Sequence, residues 1–259
     1  MDLGIRGRTA LVCASTRGLG RACAESLAAE GVDLVVNGRD PDTVARAADE
    51  LRGRFAVAVS GVAADLDTAG GRRDLLAACP DPDILVTNTA GPAPAVFADV
   101  TDEARRAALG SNLLDAVELV QAVLPGMRAR GFGRVVNITS AMVKSPSPLM
   151  TPSVAARTAL TGVMKAVARD VVADNVTVNN LLPERIDTGR QRQMADLAVA
   201  VRGITLEQAY AEIAATIPAG RLGRPEEVGD ACAFLCAARS GYLTGQNLQL
   251  DGGAYEGLL

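Results

Sequence analysis

Apolar runs of strand length alternate with longer amphipathic stretches along almost the entire chain. The strand-like runs are TALVC (9–13), DLVVN (33–37), FAVAV (55–59), DILVTN (83–88), RVVNI (134–138), VTVNNL (176–181) and NLQL (247–250). Between them, apolar positions recur with helical spacing near 18–30, 41–52, 70–78, 101–130, 152–174 and 225–238, the pattern of helices that bury one face. Strands alternating with helices predict βαβ units, and hence a doubly wound α/β fold with a parallel sheet covered on both sides. The near-continuous apolarity of the early strands fits burial on both faces. No linker, repeat or low-complexity stretch interrupts residues 1–259, so a single domain is expected.

One segment departs from the rhythm. Residues 185–222 place two helical patterns between the sixth and seventh strands. Thr205 and Gln208 are spaced as a capping box for the second of them,. An insertion at the carboxyl edge of such a sheet is where a substrate lid would sit. Met194, Leu197, Val199 and Tyr210 are its candidates for an apolar lining. In the helix near 152–174, Thr151 is the expected N-cap and Pro152 suits the first helical position,. Ser153 and Arg157 then fall four residues apart on one helical face,.

Composition narrows the function. Aromatic residues are only 3% of the chain against 49% hydrophobic residues, so the core must be built from Ala, Val, Leu and Ile. A net charge of −4 with no basic block argues against nucleic-acid and anionic-membrane partners,. No apolar run reaches transmembrane length and the N-terminus lacks a signal-peptide pattern, so a cytoplasmic protein is expected,. The five cysteines, Cys13, Cys23, Cys79, Cys232 and Cys236, form no C-x-x-C pair and read as small buried residues,. The chain has no histidine, which excludes a histidine base and makes a first-row metal site unexpected,. Chemistry must therefore come from hydroxyls, carboxylates, Arg or Lys, or a bound cofactor. Lys144 and Lys165 are the only lysines, so an Arg can stand where drift has removed a Lys.

Directly after the first strand, CASTRGLG brings Gly18 and Gly20 to the opening of a helix. A Gly-rich turn there aims backbone N–H groups and the positive helix end at a pyrophosphate. This turn resembles the T-G-x-x-x-G-x-G element of the short-chain dehydrogenase/reductase family, and the likeness runs almost end to end. Asp65 and Leu66 in AADLD resemble the adenine-contacting site after the third strand. Asn88, Thr89, Ala90 and Gly91 look like the N-N-A-G turn after the fourth. Asn112 in SNLLDA matches the Asn within the long fourth helix, and GRVVNITS ends at Ser140, the position of the active-site serine. VTVNNLLPERIDT, with Pro183, Ile186 and Thr188, is similar to the run beside the nicotinamide. The resemblance, which extends to 3-oxoacyl-ACP reductase-like members, implies a Rossmann-type seven-stranded parallel sheet, a dinucleotide cofactor, a small-molecule substrate and a homotetramer or dimer.

The cofactor follows from charge. NAD users of the family place an acid at the end of the second strand, where this chain reads VVNGRD. Gly38 stands where the acid would be, Arg39 follows, and Arg17 lies in the Gly-rich turn. Guanidiniums without a carboxylate suit a 2′-phosphate, so NADP(H) is expected over NAD(H). Asp40 is the one acid that a rotated turn could offer to a ribose. The turn departs from the family pattern at Cys13 and at Ala14, which replaces a glycine. Ala there costs little if its φ is negative. The resemblance places Ala14, Ser15, Thr16, Arg17, Gly18, Leu19, Gly20, Arg39 and Arg157 among the cofactor contacts.

The catalytic end departs further. The family's chemistry uses a Tyr thirteen residues after the serine and a Lys four residues later. Counting from Ser140 reaches Ser153 and Arg157. The resemblance thus assigns Ser140, Asn112, Ser153 and Arg157 to the catalytic site, with the proton-transferring phenol replaced by an aliphatic hydroxyl. Arg157 keeps a charge for the ribose but cannot lend a proton. Glu184, Lys144 and Tyr210 are the candidates to fill in. Three readings stay open: an NADP(H)-dependent carbonyl/alcohol oxidoreductase with an atypical site, a non-redox lyase, dehydratase or isomerase, and a cofactor-binding pseudoenzyme.

Overall fold

The computed structural model describes residues 2–258. Its strands are β1 (Thr9–Val12), β2 (Asp33–Gly38), β3 (Val59–Ala63), β4 (Ile84–Thr87), β5 (Gly133–Ile138), β6 (Val176–Pro183) and β7 (Asn247–Leu250). They form one parallel sheet in the order β3-β2-β1-β4-β5-β6-β7. The first three helices are α1 (Gly18–Ala29), α2 (Pro41–Arg54) and α3 (Ala69–Ala78). Next come α4 (Asp102–Leu109), α5 (Asp115–Arg130) and α6 (Thr151–Val171). The last three are α7 (Gly189–Arg202), α8 (Leu206–Ala215) and α9 (Pro225–Cys236). The domain is thus the expected seven-stranded Rossmann-type fold. Strand order reverses between β1 and β4, and in such sheets ligands bind outside the carboxyl ends at the reversal,.

Alternation along each strand splits the core in two. Ala10, Val12, Ile84, Val86, Val136 and Ile138 pack with Cys23 and Leu27 of α1 and Val228 and Cys232 of α9. Leu11, Leu85 and Val135 point the other way, onto Leu119, Val123, Leu160 and Met164 of α5 and α6. All five cysteines are free and buried. Gly229 lets α9 lie directly on α1, because a Cβ there would stand 2.4 Å from the Ala22 carbonyl oxygen. The stretch Asp102–Arg130 is apolar and long enough to cross a membrane, but Leu119, Val120, Val123 and Met127 place it in the core.

Three local expectations need correction. The third strand is Val59–Ala63, not 55–59. Phe55 ends α2, its N–H donating to Leu51 O, and the apolar residues after it lead into the strand. The strand itself is an edge with a mostly exposed face, and a Cβ at Gly61 would meet Val44 of α2 at 2.6 Å. Small residues mark it, not an apolar run. The 101–130 helix is broken by a π-helical turn, Gly110–Leu114, which carries Asn112. In α6 the capping position falls on Met150, and Thr151 is already helical. Residues 185–222 do hold two helices, α7 and α8, and Thr205 and Gln208 close both hydrogen bonds of the capping box.

A polar ladder crosses the sheet below the carboxyl edge. Thr87 donates to Asn137 Oδ1 at 2.7 Å, Asn137 to Asn180 Oδ1 at 3.0 Å, and Asn180 to Asn247 Oδ1 at 2.8 Å. These four residues sit opposite one another in register on β4, β5, β6 and β7. Each buried amide is satisfied by its neighbour, so the ladder pins the register of the strands that end at the site.

Candidate active site

A cleft of about 540 Å³ opens at the carboxyl ends of β1, β4, β5 and β6. Ala14, Arg17, Gly18 and Leu19 of the Gly-rich turn form one end. Asn88, Thr89, Ala90 and Gly91 follow β4. Ser140 comes from the end of β5, Ser153 and Arg157 from the first turns of α6, and Pro183, Ile186 and Thr188 from the segment after β6. Tertiary structure thus brings these residues, though not Asn112, to one cleft from five separate stretches of chain.

The turn is built from backbone constraints. Gly18 has φ +60° and open space around it, while a Cβ on Gly20 would lie 2.4 Å from Ala14 O. Asn88 Nδ2 donates to Ala14 O at 3.3 Å and Ala14 N–H to Asn37 Oδ1 at 3.2 Å. Ser15 is buried behind the turn, its hydroxyl donating to Val12 O and accepting from Asn37 N–H. Ala14 itself has φ 45°. The condition under which alanine is cheap here is not met, because the left-handed region crowds its Cβ. Burial pushes the neighbouring Cys13 thiol up to about 12, so it is an inert packing group,.

At the end of β2, a Cβ on Gly38 would meet Thr16 Cγ2 at 2.7 Å. Thr16 thus fills the space in which an acidic side chain would begin. Asp40 is committed elsewhere: its carboxylate caps α2 by accepting from Thr43 N–H at 2.8 Å. The Thr43 hydrogen bonds hold its pKa below the usual carboxylate range. Arg17 and Arg39 are exposed on this side, and so is Asp65, which accepts from Asp67 N–H at 3.2 Å. Leu66 is buried in the core behind α3.

At the other end, Ser140 Oγ accepts from Met142 N–H at 3.2 Å, which leaves its own proton to donate,. Ser153 is buried at 3% exposure. Arg157, 8% exposed, donates from Nη1 to the carbonyl oxygens of Ile138 and Thr139, both at 2.8 Å. Burial alone pushes its guanidinium down to about 10. Asn112 does not line the cleft. It stands behind Thr89, accepting from that hydroxyl at 3.1 Å and donating to Ser111 Oγ at 2.8 Å.

The candidate stand-ins are placed differently. Lys144 lies over the Tyr255 ring, 5.4 Å from its centroid, and outside the cleft lining. Tyr210 donates to Asp187 Oδ1 at 3.2 Å, in a second depression of about 610 Å³ that meets the cleft at Thr188 and Gly189. Burial and the Asp187 carboxylate push its phenol up, the wrong direction for a proton donor at neutral pH. Glu184 does line the cleft, with its carboxylate 3.8 Å from Arg185 Nε. Met194, Leu197 and Val199 do not line it; the wall is the first turn of α7, with Gly189, Arg190, Gln191 and Gln193. Arg190 Nη2 donates to Pro92 O at 2.9 Å, tying α7 to the loop after β4. Sequence reasoning missed Arg190, Gln191, Met142 and Met150. The run RIDTGRQRQ was the available signal, because polar residues open a helix that should otherwise be apolar.

Known proteins share this whole architecture. The family description "Enoyl-(Acyl carrier protein) reductase" matches residues 13–255. An uncharacterized oxidoreductase, YvaG of Bacillus subtilis (strain 168), is 34% identical over 258 residues, 98% of each chain. The 3-oxoacyl-[acyl-carrier-protein] reductase FabG of Escherichia coli (strain K12) is 29% identical over 98% of this chain and 99% of its own. L-sorbose reductase from Gluconobacter frateurii, solved with NADPH and L-sorbose, superposes with TM-score 0.95 at 30% identity over the full length of both chains. A 3-oxoacyl (acyl-carrier-protein) reductase from Agrobacterium tumefaciens C58 with NADP bound gives TM-score 0.88 at 34% identity, over 97% of this chain and 96% of that one. The fold, the Gly-rich turn and the extent of these matches lead to one conclusion: the chain belongs to the short-chain dehydrogenase/reductase family.

Proposed function

We propose that this protein is an NADP(H)-dependent oxidoreductase that interconverts a carbonyl and an alcohol, with Ser153 and Arg157 in place of the family's Tyr–Lys pair. The observation that carries this reading is the convergence of the Gly-rich turn, Ser140 and Arg157 on one cleft. Arg17 and Arg39 would take the 2′-phosphate, with Thr16 occupying the acid's place and Asp40 spent on its helix cap. The glycine cradle fits a pyrophosphate, since Gly18 leaves its surroundings open and Gly20 closes the turn,. NADPH or NADP accompanies the L-sorbose reductase and Agrobacterium reductase structures, in line with this choice. NADP(H) bound there would supply the redox chemistry, its reduced form giving a hydride to the carbonyl and its oxidised form taking one from the alcohol.

The protein's own groups do the rest. Ser140 donates its free hydroxyl proton to the substrate oxygen and orients it. Arg157, anchored through Nη1 by two carbonyls at the end of β5, directs one Nη2 N–H to the ribose. Ser153 can donate a hydrogen bond but is a poor acid, so water delivers the proton. Thr89 and Asn112 keep the β4 turn in shape. General acid catalysis typically contributes ~10²–10⁴-fold, and turnover is correspondingly slow. A homo-oligomer completes the reading, with exposed Leu109, Leu114 and Val163 along α4–α6 as apolar surface for it.

The test is NADPH and NADH binding by nicotinamide fluorescence, followed by NADPH oxidation across a panel of carbonyls. NADPH should bind about tenfold or more tightly than NADH, a margin that Arg39→Ala reduces. Tight NADPH binding with no oxidation by any carbonyl would reject the redox reading in favour of a cofactor-binding pseudoenzyme. Turnover without cofactor absorbance change would favour a lyase, dehydratase or isomerase.

A further inference from the structure

Arg157 is a buried cation with no anion beside it. Its Nη1 is satisfied by two neutral carbonyls, while Nε and Nη2 make no hydrogen bond among the described residues. No charged neighbour contributes to the depression of its pKa, which comes from burial alone. Among the described residues, the only acidic one lining the cleft is Glu184, and its carboxylate faces Arg185. Buried charges are ordinarily paired, because desolvating one alone costs several kcal/mol. One turn before Arg157, Ser153 carries a hydroxyl on a small side chain, so the volume beside the guanidinium is cavity. A second donor waits on the α7 wall of the same cleft: Gln191 is 8% exposed, and its Nε2 is buried without an acceptor. Gln191 Nε2 is a buried donor with no partner on the protein, and Arg157 Nε and Nη2 open onto the same cleft, so together they mark a place for an acceptor that the protein does not provide.

We propose that the space bounded by Ser153 and Arg157 is a carboxylate subsite, and that the natural substrate is an oxo acid or hydroxy acid whose carboxylate supplies the missing counter-charge. This deepens, and rests on, the oxidoreductase reading above. A carboxylate is the anion that suits the site, being small, planar and matched to two N–H groups of a guanidinium. The Ser153 hydroxyl adds a third donor, and Gln191 Nε2 serves a polar oxygen elsewhere on the substrate. The ribose is uncharged and would take a single Nη2 N–H, so the charge of the guanidinium, its Nε–H and its second Nη2 N–H are left for the substrate. The arrangement gives a role to a residue pair that lacks acid–base chemistry: Ser153 and Arg157 select and orient the substrate.

The experiment uses the full chain, with and without NADPH. Acetate serves as probe, with inorganic phosphate and acetamide as controls, read by calorimetry and by thermal midpoint. Acetate should bind at one site per chain, and both Arg157→Gln and Ser153→Tyr should weaken it about tenfold or more. The first removes the charge and the second fills the space, so a folding defect in one leaves the other to decide. In turnover, pyruvate should exceed methyl pyruvate in kcat/KM about tenfold, and Arg157→Gln should erase that preference. Absence of acetate binding, or binding unchanged by Ser153→Tyr, overturns the subsite. Equal binding of phosphate overturns its assignment to carboxylates. Acetate binding without any NADPH oxidation would sink the redox reading alone, and oxidation by neutral carbonyls without acetate binding would sink the subsite alone.

Discussion

Replacing Ala14 by glycine removes a methyl group from a backbone position at φ 45°. An L-residue in the left-handed region is strained by roughly 1–2 kcal/mol, because its Cβ crowds the following carbonyl. Glycine relieves that strain but loses about 0.5–1 kcal/mol more chain entropy on folding. The hydrogen bonds here, from Ala14 N–H to Asn37 and from Asn88 to Ala14 O, involve only the backbone of residue 14 and persist. The side chain is only half-buried, so little apolar area is lost. Ala14→Gly is therefore expected to stabilise the fold by about 0.5–1 kcal/mol, the difference of the two terms. For a chain of this length that is a rise of roughly 1–4 °C in thermal midpoint. Melting curves followed by circular dichroism, with and without saturating NADPH, measure it directly. An unchanged or lowered midpoint in the absence of NADPH would show that the turn does not store this strain.

Gly20→Ala acts oppositely at the same turn. Its Cβ would fall 2.4 Å from Ala14 O, a backbone atom, so overpacking by about 1–3 kcal/mol and loss of NADPH fluorescence enhancement are expected. Installing the usual pair, Ser153→Tyr with Arg157→Lys, should raise single-turnover NADPH oxidation by neutral carbonyls about 10²-fold or more, since general acid catalysis is what the site lacks. An unchanged rate would mean that proton delivery does not limit turnover. Asp115 gives a pH prediction. Its carboxyl lies 2.8 Å from Arg72 Nη1, yet burial outweighs that attraction and pushes it from 3.8 up to about 6. Between these values the folded chain holds a proton that the unfolded chain has released, so stability falls as pH rises from 4 to 6 and levels off above,. About 2–3 kcal/mol is at stake at ~1.4 kcal/mol per pH unit, and Asp115→Asn should abolish it. Urea unfolding of the two proteins from pH 4 to 7 reads the difference, and a gap that does not vary with pH contradicts the assignment.

Much of the fold was legible because both-face burial leaves continuous apolar runs, as in TALVC and RVVNI. The edge strand β3 was not, because an exposed strand pressed against α2 needs small residues such as Gly61 instead of apolar ones. The π-helical turn at Asn112 was equally silent, since its one extra residue shifts the helical phase at a single point, too short a break to stand out from the apolar positions on either side,.

By itself the sequence determined the order of elements and the Gly-rich turn, because these depend on local periodicity and spacing, while Ser140, Ser153 and Arg157 were reached through the resemblance to the family's pattern. Tertiary structure alone decided what those residues meet. Only the folded chain places Gly20 under Ala14 O, seats Arg157 between two carbonyls with no anion, turns Lys144 onto Tyr255 and brings Gln191 into the cleft. A charge's partner and its burial are properties of neighbours distant in sequence, and no local pattern encodes them.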